Sequence, residues 1–160
     1  MKKAMSTLFA ILALASQLSF ASEKSITISN EATYYDKKII APNIRNECIH
    51  LGSEFSNSTE LQLSKQGWEV NRDDSLPANG LSLKLVITNV HSSGNAWTGH
   101  RKSVSIEAIL MKDGETIDSY EHIRKSGGGI GGGFKSSCAV LKRCVDTLGK
   151  DVSKWLSRTL

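Results

Sequence analysis

The chain has 160 residues, 39% of them hydrophobic and 22% charged, with 20 basic and 16 acidic side chains for a formal charge of +4. That length fits one domain with a modest core. The charges of both signs are scattered, which excludes the clustered basic surface that nucleic acid or an anionic membrane requires.

The amino terminus reads as an export signal. Met1-Lys2-Lys3 opens it, an apolar run from Leu8 to Leu14 follows, and small residues Ser19 and Ala21 flank Phe20 before Ser22-Glu23. A charged start, a short apolar stretch and small residues at the −3 and −1 positions are the three parts of a secretory leader. The apolar run is far short of the roughly 20 residues that cross a bilayer. The expectation is a leader cleaved after Ala21 and one domain over 22–160, delivered to the periplasm. No Cys stands near the cut, so neither a lipid anchor nor a membrane span is expected. Loss of Lys2 and Lys3 takes the formal charge to +2. The sequence pI near 9.0 therefore overstates any basic character.

Ile26 and Ile28 alternate with polar neighbours, predicting a short strand over Ser25 to Asn30. Pro42-Asn43 opens a helix with Asn43 as its cap. Ile44, Cys48, Leu51 and Phe55 lie on one face of it, and it ends by Gly67. Trp68 and Val70 predict a brief strand. After Pro77-Ala78-Asn79-Gly80, Leu81, Leu83, Leu85 and Ile87 alternate through to His91. A polar loop from Ser92 to Gly99 carries Trp97, and Val104, Ile106, Ala108 and Leu110 then mark a returning strand. Asp113-Gly114 is a two-residue hairpin turn, with Ile117 to Ile123 as the paired strand. A glycine run from Gly127 to Gly133 leads to Ser136 and Ser137, both suited to cap a helix. Leu141, Val145, Leu148, Val152 and Trp155 follow at helical spacing, and this stripe must bury against the apolar face of the meander. The coarse order is β-α-β-β-β-α: a two-layer α+β domain with an antiparallel meander and a C-terminal amphipathic helix.

Cys48, Cys138 and Cys144 all outlast the leader, and an oxidising compartment favours one disulfide with one thiol left over. Within one regular helix, Cys138 and Cys144 would stand about 9 Å apart along the axis. A disulfide needs its Cα atoms within about 7 Å. Either Cys138 lies in the turn before the helix, or Cys48 bonds one of the two.

The stretch from Leu81 to Leu156 resembles an uncharacterised family of small exported bacterial envelope proteins. There the layout of strand, Asp-Gly turn, strand, Gly-rich turn and helix ending in Trp-Leu recurs, here closing on Trp155-Leu156. The element order is also similar to the amino-terminal domain of the Tol translocation protein and related accessory lipoproteins. The resemblance covers about half of the exported chain and rests on layout. It implies an envelope accessory role and supplies no active-site residues. Many members are lipoproteins, and this chain lacks the lipid-bearing Cys.

Gly127, Gly129 and Gly132 formally fit a dinucleotide pattern, but a phosphate loop needs Gly-Lys-Ser in succession, and here Phe134 separates Gly133 from Lys135. Gly132, Gly133, Lys135 and Ser136 remain candidates for holding an anion at a helix start, against the plainer reading of a flexible connection. His91 and His100 flank the Trp97 loop, and His122 follows on the next strand. Two histidines fall short of a zinc site, so no metal and no cofactor are expected. Trp97, with His100 and Arg101, either covers the sheet edge or forms a recognition surface, since Trp and Arg are over-represented at binding hot spots. No Gly-x-Ser-x-Gly elbow occurs. The expected function is therefore non-enzymatic: a periplasmic binding or accessory protein that contacts another envelope protein, with no nucleic-acid role. The alternative is a secreted inhibitor that engages a target enzyme through the Trp97 loop.

Overall fold

A computed structural model describes residues 24–93, 101–127 and 136–160. The expected leader and the segments 94–100 and 128–135 lie outside the described residues. The strands are β1 (Ser25–Ile28), β2 (Thr33–Tyr34), β3 (Glu69–Arg72), β4 (Leu81–Ser93), β5 (Arg101–Lys112) and β6 (Glu115–Ser126). The helices are α1 (Pro42–Glu47), α2 (Leu51–Ser64) and α3 (Ser137–Thr159). The two-layer α+β expectation holds: one six-stranded sheet runs in the order β3-β1-β4-β5-β6, and β2 joins β4 beyond β1.

The sheet is mixed, which strand periodicity alone did not reveal. The meander β4-β5-β6 is antiparallel as expected. β1 instead lies parallel between β3 and β4, and β2 continues its line parallel to β4. The first strand thus enters mid-sheet, and Ile26 and Ile28 are buried at 1% and 0% exposure. The observed order has more elements than the coarse β-α-β-β-β-α: the brief strand expected at Trp68 and Val70 is present as β3, and the two-residue β2 is an addition.

The predicted first helix is two. Its opening residue is Pro42, placed after Ala41, and Asn43 sits inside the first turn instead of capping it. Proline at the first helical position lacks only an N–H that would have had no intrahelical partner. The helix ends at Glu47, and His50 precedes a second one. The break falls at Cys48, yet Ile44, Cys48, Leu51 and Phe55 all reach the core as the spacing predicted. α2 closes at Gly67, whose φ of +82° only glycine adopts freely. The Gly67 N–H bonds the Ser64 carbonyl and the Trp68 N–H bonds that of Leu63. This paired cap satisfies orphan carbonyls and turns Trp68 into the core. Asp113-Gly114 has positive φ at both residues, as the predicted hairpin turn demands.

Both long helices cover one face of the sheet. Leu83, Leu85, Ile87 and Val90 of β4 and Val104, Ile106, Ala108 and Leu110 of β5 meet Leu141, Val145, Leu148 and Val152 of α3 in one core. α2 and α3 run parallel, with Ser58 donating to the Asp146 carbonyl at 2.9 Å and Gln66 to Ser153 Oγ at 3.2 Å. On the far face, Lys84, Ser119, Glu121 and Lys125 are exposed.

β2 carries a titration signature. Tyr34 packs against the core beneath Lys37, whose Nζ lies 5.6 Å from the ring centroid. Burial, helped by the charge of Glu31, pushes its phenol up to about 12 from an ordinary 10.0. The folded state therefore holds this proton more tightly than the unfolded chain does, so the linked stability is intact below pH 10 and drains as pH rises toward 12. Tyr34→Phe is expected to remove the latest phenolate step from an ultraviolet titration and to flatten the alkaline loss of stability. An unchanged titration curve would contradict the burial of this ring.

Candidate interaction surface

The sheet brings together the two connections that stand out in the sequence. Ser93 pairs with Arg101, where β4 ends and β5 begins, and Lys102 pairs with Ser126, where β6 ends. The strand ends bounding segments 94–100 and 128–135 are therefore neighbours at one end of the meander. Arg101 is exposed there, and its carbonyl accepts a 3.5 Å bond from Ser93 Oγ. His91 Nε2 lies 3.1 Å from the same hydroxyl. Lys125 is exposed opposite Ser103. Lys102 is only 3% exposed and donates from Nζ to the Ser93 carbonyl at 3.2 Å. Burial lowers its pKa.

Of the residues singled out for partner contact, Arg101 is at this end, and Trp97 and His100 lie outside the described residues. Gly132, Gly133 and Lys135 lie outside them too. Ser136 caps α3, accepting from the Ala139 N–H at 3.2 Å, so its hydroxyl serves the helix start as its sequence position suggested. Among the described residues, no cluster of three or more His, Cys, Asp or Glu side chains is arranged to hold a metal.

A second polar assembly, which sequence reasoning missed, joins α3 to the sheet edge. β6 turns Asp118, Tyr120, His122 and Arg124 toward the helix, opposite Leu110, Ala108, Ile106 and Val104. Arg124 grips Asp151 through two bonds of 2.6 and 2.7 Å. Such a forked pair fixes geometry as well as charge. The hydrogen bonds to Asp151, then its charge, raise the Arg124 pKa. Asp151 is 9% exposed, and His122 Nε2 lies 3.9 Å from the same carboxylate. Tyr120 stacks between His122 and Trp155, with centroid separations of 5.5 and 5.4 Å. Burial, then the Asp151 charge, pushes its phenol up. Asp118 accepts from Trp155 Nε1 and from the Thr159 hydroxyl, each at 3.2 Å. The available signal was Asp151 itself, an acid set between Leu148 and Val152 on the apolar stripe.

The disulfide joins Cys48 to Cys138, with Cα atoms 5.3 Å apart. It thus takes the second of the two options left open by spacing. Cys144 keeps a buried free thiol, its pKa raised by that burial. Cys138 sits in the first turn of α3, so the bond ties the beginning of α3 to the end of α1. Beside it, a 160 Å³ cavity is bounded by Glu47, His50, Glu54 and Lys142.

No protein-family model matches this chain, and no curated protein matches it. Its fold is nevertheless shared with solved bacterial proteins. A PelC dodecamer from Paraburkholderia phytofirmans aligns with a TM-score of 0.52 at 10% identity, over 82% of this chain and 87% of that one. A DUF330 protein from Xanthomonas campestris aligns at 0.55 and 10%, over 84% and 83%. A minor lipoprotein from Acinetobacter baumannii aligns at 0.51 and 9%, over 85% and 94%. At such identities the likeness is one of fold. No helix among the described residues is long and apolar enough to cross a membrane.

Proposed function

We propose that this chain is an exported, non-enzymatic envelope accessory protein that works by protein–protein contact at the end of its meander where the strands adjoin segments 94–100 and 128–135. The observation that carries the reading is the register pairing Ser93 with Arg101 and Lys102 with Ser126. It gathers two connections and the exposed Arg101 and Lys125 at one end of a rigid sheet, and binding residues concentrate on loops held by such scaffolds. The leader-like residues 1–21 and the Cys48–Cys138 bond support delivery to the periplasm, where disulfides persist. Two of the fold's solved examples bear on the role: one is a lipoprotein, and another is built as a dodecamer. The fold therefore accommodates both an envelope setting and assembly by contact.

The test is a crosslinked pull-down of the exported chain from its own cell envelope, read by mass spectrometry. Trp97→Ala and Arg101→Glu are each expected to deplete a recurrent partner at least about tenfold, the loss typical of one hot-spot side chain. Their melting temperatures should stay near that of the parent. Partners recovered equally with parent and variants would reject this surface.

A further inference from the structure

The strand ends that adjoin segments 94–100 and 128–135 carry charge of one sign. Residues 89–93, 101–106 and 122–126 include Arg101, Lys102, Arg124 and Lys125, and no acidic side chain. Two of these four cations are engaged inside the fold. Lys102 is buried on the helix side and donates to the Ser93 carbonyl, and Arg124 is held by Asp151. The other two point outward. Val104 faces the core, so pleat alternation turns Arg101, Ser103 and Ser105 to the open face, with His91, Ile123 and Lys125 beside them on the neighbouring strands. His91, Arg101 and Lys125 are all exposed. Arg101 is diagonal to both His91 and Lys125, and such neighbours stand about 7–8 Å apart. Next to them, Ile123 is 44% exposed on the wall of a 330 Å³ cavity that Thr88, Ser105 and Glu121 also bound.

We infer that the partner met at this end is an acidic protein segment, lying extended on the open face with carboxylates on Arg101 and Lys125 and an apolar side chain against Ile123. The inference rests on the accessory-protein reading and adds to it the chemistry of the partner. In an extended chain, side chains on one side recur about every 7 Å. That repeat matches the diagonal from Arg101 to Lys125, so two acids separated by one residue reach both cations together. The Ser103 hydroxyl, level with His91 and Lys125, is a further donor for the same carboxylates. Glu121 follows Ile123 on the same face and opposes an acid placed there, which fixes the order: acids over the basic row, apolar residue at the cavity. Two outward-facing fixed cations fall short of the cluster of about four to eight basic residues that holds a protein on an anionic membrane. A protein segment, and not a lipid surface, is therefore the occupant that fits.

The experiment is a nuclear magnetic resonance titration of the isotope-labelled chain, purified from cells expressing all 160 residues. The probe is a synthetic peptide of about ten residues in which Glu alternates with Ser around one Leu. Binding with a Kd on the order of 1 mM is expected, with amide shifts confined to His91, Ser93, 101–105 and 123–125. Replacing every Glu of the peptide by Gln should weaken binding at least about tenfold. Arg101→Glu and Lys125→Glu should each weaken it at least about fivefold, since each removes an attraction and adds a repulsion. Lys38→Glu makes the same charge change on an exposed residue of another element and should stay within about twofold of the parent. Melting temperatures identify any variant that fails to fold, and the Gln peptide on the parent then carries the test. The inference is overturned by a Gln peptide that binds equally well, by shifts that map elsewhere, or by a Lys38→Glu loss as large as the other two. Binding to phosphatidylglycerol vesicles without binding to the peptide overturns it as well. The pull-down separates this result from the broader reading. A peptide-binding patch with no envelope partner recovered upholds the chemistry of the patch and ends the accessory role, whereas a partner lost on Trp97→Ala with no response to the peptide does the reverse.

Discussion

Replacing Cys48 or Cys138 with serine is expected to lower the unfolding free energy by about 4–5 kcal/mol, measured by urea titration with the parent as reference. The bond closes a loop across 90 residues of sequence. In the chain-entropy account, a cross-link stabilises chiefly by restricting the unfolded ensemble, and more so for longer loops. A domain of this size holds only about 5–15 kcal/mol in all, so the loss is a large fraction of the total. The native circular dichroism of the variants should be little altered, because the effect resides mainly in the unfolded state. Cys144→Ser is the informative contrast: that thiol is buried and unbonded, so replacing it perturbs packing without opening any loop. A loss below about 1 kcal/mol for the Cys48 and Cys138 variants would mean the reduced chain already keeps these ends together.

The second large effect is expected at Gly149, in the middle of α3. A helix interior ordinarily gains about 1 kcal/mol when glycine becomes alanine. Here a Cβ would meet the Ser58 hydroxyl at 2.5 Å and the Ser58 main-chain carbon at 2.8 Å. The obstacle is partly backbone, so rotating a side chain does not relieve it. Overpacking of this kind costs about 1–3 kcal/mol or more, which outweighs the propensity gain. Gly149→Ala is therefore expected to destabilise by about 1 kcal/mol net, and Gly149→Val by about 3 kcal/mol. Ser58→Gly in the Gly149→Ala background should recover part of the loss, since it removes the hydroxyl but leaves the main chain in place. Thermal unfolding of the four-member cycle reads the coupling directly. Additive effects would show that α2 and α3 do not meet at these two residues.

The legible parts of the fold were those set by local periodicity. Leu81 to Ile87, Val104 to Leu110 and the stripe from Leu141 to Trp155 each announced both their element and their buried face. Asp113-Gly114 announced its turn, because few pairs tolerate positive φ twice. What escaped was non-local. Nothing in Ser25–Ile28 says that it will enter between two later strands, since parallel pairing leaves no turn signature. The stripe from Ile44 to Phe55 has the spacing of one helix because burial continues across the break at Cys48. The cysteine pairing could not follow from spacing, which eliminates options without choosing among those that remain.

For the candidate surface, the sequence supplied Arg101 and the two flanking connections, but only strand register made them neighbours. The Arg124–Asp151 fork was hidden because β6 inverts the usual rule. At the sheet's margin its helix-facing positions are polar, and their partners lie on α3, far away in sequence.

The Cys48–Cys138 bond has a consequence for the integrity of the molecule. It makes residues 48–138 a covalent ring that contains β3 through β6, with β1, β2 and α1 on one tail and nearly all of α3 on the other. Both the Trp97 segment and the glycine run fall inside that ring. A protease that cuts either one opens the ring without dividing the molecule, and the two pieces stay joined through sulfur. Outside the cytoplasm, where proteases are met and disulfides last, such a nicked chain keeps its parts at high mutual concentration and retains its means of re-forming the fold.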